Sequence, residues 1–183
     1  MTDILLASGT PIILGNSGDY SPTAGASLTG TRTHQLNLTG LVAGAYRQSA
    51  KFDMGATRAQ RYFCRAAIEP ASAPAAGGAV EVFLGLSDNA TAANNNPGNL
   101  SGADAAYTGY GAAATDATEC IGQLTRIGQV IASADADIMV STLGVFIPYL
   151  RYGMIVVRNG FSVNLGADAV EMSVQLFPIT DSF

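Results

Sequence analysis

Tryptophan is missing from this 183-residue chain, histidine occurs once, and there are two cysteines. The single imidazole, His34 in "TRTHQLNL", reads as a hydrogen-bonded surface or edge residue of a strand rather than as a general base. No G-x-S-x-G elbow exists, since "LGNSGD" and "GASLTG" both miss the spacing. Cys64 and Cys120 form no C-x-x-C pair and no disulfide framework, so both are expected to be small buried hydrophobes. Cys64 sits in an alternating strand, the setting of an inert thiol.

Charge is also scarce. Asp, Glu, Lys and Arg make up 13 % of the chain, against about 25 % in an ordinary soluble domain. Two explanations fit: a surface that faces another protein, or one built from Ser, Thr, Asn and Gly. The nine basic residues are outnumbered by fourteen acidic ones, giving a net charge of −5. That balance argues against general nucleic-acid binding, which needs Lys and Arg to release counterions. No hydrophobic run approaches the length of a membrane span. The opening "MTDILLASGTPIILGNSG" lacks a basic n-region, and Ser8, Gly9 and Pro11 interrupt its apolar stretch, so it predicts no signal peptide. A soluble protein made in a reducing cytoplasm is expected. The matches to N-x-[ST] at Asn37, Asn89 and Asn99 then read as chance in an Asn- and Thr-rich chain.

What the chain does have is alternation. "GAVEVFLGL" places Val80, Val82, Leu84 and Leu86 on one face, and "AVEMSVQLF" does the same with Val170, Met172, Val174 and Leu176. "HQLNLTG", "AKFDMG" and "RYFCRAAIEP" alternate likewise, the last with Tyr62, Cys64, Ala66 and Ile68 inward. "DIMVSTLGVFI", "YGMIVVRN" and "FSVNLG" predict three more strands, the first two apolar enough to be central. In "CIGQLTRIGQVIAS" the helical spacing of Cys120, Leu124, Ile127 and Ile131 competes with Gly122 and Gly128, and a bulged strand is favoured. Asn159-Gly160 reads as a hairpin turn, because both residue types tolerate positive φ.

Eight or so short strands, Gly-rich turns and no regular helix predict an all-β fold, an antiparallel two-sheet β-sandwich with a jelly-roll topology. Residues 1–30 form an N-terminal strand or arm, and 31–183 the sandwich, with one long Asn/Gly-rich loop over 87–117. The first segment is apolar at Ile4, Leu5, Leu6, Ile12, Ile13 and Leu14. It is either the first strand of the sandwich or an arm that adds to a neighbouring subunit's sheet. In the loop, "SDNATAANNNPGNLSGADAAYTGYG", Tyr107 and Tyr110 are the anchors, and partial order completed by contact is expected. Asp88, Asn94, Asn96 and Asp104 there have oxygens to offer a calcium ion, but their order misses the EF-hand pattern. Neither a zinc-spaced cluster nor a P-loop is found, and no cofactor or metal is expected.

Charge is unevenly placed. Residues 32–65 carry six basic side chains against Asp53, whereas 66–150 carry eight acidic ones against Arg126. These are either two solvated faces or surfaces through which copies, or a copy and a partner, meet.

Two stretches, "VEVFLGLSDNATAANNNPGNLSGADAAYTGYG" and "FIPYLRYGMIVVRNG", resemble small virion proteins of tailed bacteriophages, in particular jelly-roll capsid decoration (cement) proteins. The two motifs cover roughly a quarter of the chain. The resemblance implies a non-enzymatic structural protein on the outer face of an icosahedral head. Its partners would be the major capsid protein and further copies of itself, as a dimer or trimer, with neither nucleic acid nor membrane contacted directly. Partner-binding candidates are Ile4, Leu5, Leu6, Ile12, Ile13, Leu14, Tyr107 and Tyr110. A second reading is a carbohydrate- or receptor-binding module of a tail fibre or adhesin, with Tyr107 and Tyr110 as stacking platforms.

Overall fold

The computed structural model describes residues 5–8, 10–16, 30–56, 58–111, 114–167 and 172–182, with backbone only at 5–8, 114–115 and 180–182. Ile4, Val170 and the turn at 17–19 lie outside the described residues. The protein is an all-β sandwich of two mostly antiparallel sheets. One sheet runs β10(Met139–Phe146), β6(Arg61–Ile68), β12(Ser173–Ser182), β2(Ile12–Gly15), β3(His34–Gln35), with β1(Leu5–Ser8) also on β12. The other runs β8(Ala105–Ala106), β4(Tyr46–Gln48), β11(Tyr152–Gly160), β7(Ala79–Ser87), β9(Thr125–Ile131), with β5(Phe52–Asp53) on β11. We call these sheets A and B.

Setting aside the short strands β1, β3, β5 and β8, eight strands remain. Their order is first–eighth–third–sixth in sheet A and second–seventh–fourth–fifth in sheet B. First therefore pairs with eighth, second with seventh, third with sixth and fourth with fifth, all antiparallel. That is a long antiparallel ribbon rolled up on itself, the jelly roll expected from the strand pattern.

The inward faces are those that alternation marked. Tyr62, Cys64, Ala66 and Ile68 of β6 meet Val80, Val82, Leu84 and Leu86 of β7 and Met172, Val174 and Leu176 in one core. Tyr62 stacks on Phe146, ring centroids 5.3 Å apart. The N-terminal apolar segment runs along β12. Ile12 pairs with Leu176, Leu14 with Val174, and β1 continues the pairing from Ser8–Ile179 to Leu5–Ser182. Ile12 and Leu14 lie in the core, and Ile13 is buried on the opposite face of the sheet. Of the two readings of this segment, Ile12, Ile13 and Leu14 therefore take the strand of the sandwich, buried within the chain. Leu5 and Leu6 are strand-paired within the chain.

Other expectations fail for identifiable reasons. Asn159-Gly160 makes no turn: β11 runs through both, opposite Val80 and Ala79, and neither takes a positive φ. The Asn159 amide is fully buried, donating to the carbonyls of Leu41 and Val163 while its oxygen accepts from the Phe161 N–H. It ties a chain crossing together. "FSVNLG" is irregular, with only Leu165 bridging to Pro70. Strand β10 is an edge strand, not a central one. The segment at 120–133 is split, because helix α1(Ala114–Cys120) and a 3₁₀ turn precede β9.

β9 does carry the expected bulge, at Ile127, and β10 has its own at Leu143. The two lie against each other where the edges of the sheets converge. A Cβ on Gly128 would meet the Leu143 carbonyl oxygen at 2.5 Å, and one on Gly144 the Ile127 oxygen at 2.9 Å. Only glycine permits that approach.

Replacing Asn159 by Ala strands the Val163 carbonyl and the Phe161 N–H, and leaves the Leu41 carbonyl with the Leu165 N–H alone. The expected loss is about 2–4 kcal/mol of stability, read by chemical denaturation, with the fold retained.

Candidate functional site

The loop from 88 to 111 is folded, and its position explains why β7 and β11 read as nearly continuous apolar runs. Phe83, Met154 and Val156 point away from the main core, on the outer face of sheet B. Leu100 and Tyr107 of the loop, with Ala117 and Cys120 of α1, close over them and over Tyr46 to make a second core. Tyr107 is 3 % exposed and donates its hydroxyl to the Gly98 carbonyl at 2.7 Å. Burial drives its pKa well above the usual phenol value. As a partner-binding or glycan-stacking residue Tyr107 is therefore corrected: it pins the loop from within. Tyr110 remains 66 % exposed.

Polar anchors complete the cover. The Gln48 side chain accepts from the Ser101 N–H and donates to the Ala106 carbonyl, reproducing a strand partner's bonds. Arg47 pairs with Asp104 at 2.7 Å, and the same carboxylate oxygen accepts from the Asn37 N–H. Asp104 is thus held by an arginine. Among the described residues no group of three or more His, Cys, Asp or Glu could hold a metal.

The stretch 87–94 wraps the ammonium of Lys51. Its Nζ lies 2.8 to 3.2 Å from four oxygens: Ser87 Oγ and the carbonyls of Asn89, Thr91 and Asn94. Three N–H bonds are shared among four acceptors, much as a small cation sits in a ring of carbonyls. Burial draws the lysine pKa below its ordinary value, with Asp88 pulling it back. No spacing rule foretells this cage, because Lys51 is distant in sequence and the oxygens are mostly backbone.

The lone histidine lies on edge strand β3, half-buried, edge-on to the Phe52 ring at 5.8 Å and bonded to Thr33 Oγ1. Desolvation, then Arg32, lower its pKa, while Asp53 opposes them. Both cysteines are free and buried, and burial pushes the Cys64 thiol up to about 12. That thiol is not a nucleophile at neutral pH.

Outward-facing apolar groups concentrate along β10 and the connection that follows it. Val145, Ile147 and Tyr149 are 55 %, 69 % and 67 % exposed. The tip is not loose. Arg58 reaches it from β5's far side of the sequence and donates to the carbonyls of Pro148 and Tyr149. Beside Val145 in the ladder lies Phe63, which with Arg65, Phe177, Pro178 and Ile179 lines a shallow groove of about 300 Å³. The Arg65 guanidinium lies over both rings, 5.6 and 6.0 Å from their centroids.

No family model matches the chain, and no curated protein matches it.

Replacing Lys51 by Met removes the charge that organises 87–94. We expect amide exchange there to accelerate roughly 30–160-fold, as one charge-assisted bond of about 2–3 kcal/mol would require. The sandwich midpoint should move little, and Lys51→Arg should not restore protection, since a planar fork does not fit this cage. Hydrogen-exchange mass spectrometry reads all three outcomes.

Proposed function

We propose that the protein is a structural virion protein that binds the outer surface of an icosahedral phage head and braces contacts between major capsid protein subunits. The observation that carries this reading is the clamped apolar tip. Ile147 and Tyr149 are two-thirds exposed, yet their backbone is fixed by Arg58. Exposed apolar side chains on a rigid mount pay little ordering entropy when they dock, which suits a protein-binding knob.

Three further observations agree with it. A jelly roll stiffened by a second core is a mechanically firm body. The exposed loop surface is mostly neutral Asn, Ala and Ser, with Asp88 its exposed charge, as expected of a chain crowded against other proteins. Repetition of the shell lets each contact be weak, because neighbouring sites raise the effective concentration. The reading is non-enzymatic, and the protonated Cys64 and the half-buried His34 are consistent with that. For the glycan-binding alternative, the burial of Tyr107 removes one of its two stacking platforms.

Particles purified from the phage that encodes the chain, imaged by cryo-electron microscopy, test the proposal: density for the sandwich on the head exterior is expected. Finding the protein only on tails, or only in the soluble lysate, would sink it. The double variant Ile147→Ser, Tyr149→Ser should lose at least ten-fold in retention on such particles with an unchanged melting curve. Unchanged retention would relocate the contact.

A further inference from the structure

The uneven charge along the sequence is mostly cancelled inside the chain. Arg47 meets Asp104, Arg151 meets Asp53, and Arg126 and Arg158 converge on Glu81. Lys51 and Arg58 are taken up by carbonyls. Two groups of opposite sign are left over in one neighbourhood. Arg65 is exposed and meets no carboxylate among the described residues, its contacts being the rings of Phe63 and Phe177. Asp135 and Asp137 are exposed in the β9–β10 turn, with no hydrogen bond or ion pair to a described residue.

Both groups border strand β10. Arg65 sits opposite Thr142 in the β6–β10 ladder, and the acidic turn leads directly into the same strand at Met139. From Asp137 to Thr142 is five residues, about 16 Å of extended chain. Between them the outer row holds Val140, 44 % exposed opposite the buried Ala67, while Val145 lies beyond Thr142. A basic group and an acidic group on either side of one outward valine make a self-complementary surface. Turned through a half rotation, it presents acid to base at both ends and Val140 to Val140 in the middle.

We propose that two copies of the chain pair about a two-fold axis through the outer face of sheet A near Val140, each Arg65 received by Asp135 and Asp137 of the other copy. The guanidinium already rests against the rings of Phe63 and Phe177, so less freedom is lost when a carboxylate arrives. A second copy is the occupant because its charges are the complement: the same chain supplies the acid that the arginine lacks and the arginine that the acids lack. This goes beyond shell binding and holds for the purified protein alone.

Sedimentation velocity of the full chain across micromolar concentrations should show a monomer–dimer equilibrium. Arg65→Glu should weaken it about ten-fold or more, and so should Asp135→Lys with Asp137→Lys. Combining all three exchanges restores the complement, so that variant should dimerise again, which a folding defect in either parent would not allow. The Ile147→Ser, Tyr149→Ser protein should still dimerise while losing the shell, which separates failure of this inference from failure of the proposed function. A wild-type chain that stays monomeric, a trimer or larger ring, or charge variants that dimerise as well as the wild type would overturn the inference.

Discussion

The centre of sheet B is apolar on both faces, and much of the architecture follows from that. Met154, Ile155, Val156 and Val157 are consecutive in β11 and all fully buried. A strand whose every side chain avoids water cannot lie on the surface of a two-layer sandwich, where only one face is covered. The chain resolves the problem by folding 88–111 and 114–124 back over the outside of the sheet. The long polar loop is therefore a third layer. Its Asn, Ser and Gly residues supply hydrogen bonds to its own backbone, while two inward residues, Leu100 and Tyr107, supply the contact with β7 and β11.

This arrangement explains which parts of the fold were legible. Strict alternation in β6 reports one inward face, Tyr62, Cys64, Ala66 and Ile68, and that strand falls where the pattern places it. Uninterrupted runs, as in "FLGL" and "MIVV", report two buried faces, and there periodicity says nothing of what lies on the second. The Asn-Gly pair at 159–160 misled because local turn preference is weak beside the pairing of β11 with β7 and the bond from the asparagine amide to the distant Leu41 carbonyl. In β10 hydrophobic content was read as central position. Its outward valines instead face open surface, information that no single-chain pattern contains.

The candidate site shows the same division. Tyr110 and Tyr107 look alike in sequence, three residues apart in a polar stretch, yet one is outside and the other closes a core. Ile147 and Tyr149 also face outward, yet in sequence the first only ends the strand "DIMVSTLGVFI" and the second falls within "FIPYLRYGMIVVRNG". Their significance depends on Arg58, a residue ninety positions earlier than Pro148, whose role is visible only once the chain is folded.

The paired bulges at Ile127 and Leu143 carry a consequence of their own. An unprotected sheet margin invites another chain to hydrogen-bond along it, and uncontrolled growth of this kind ends in fibres. Here the glycine-lined margins of the two sheets nestle into each other, so each blocks the approach to its counterpart. Molecules held at high density side by side could then touch through side chains without zipping into a continuous ribbon.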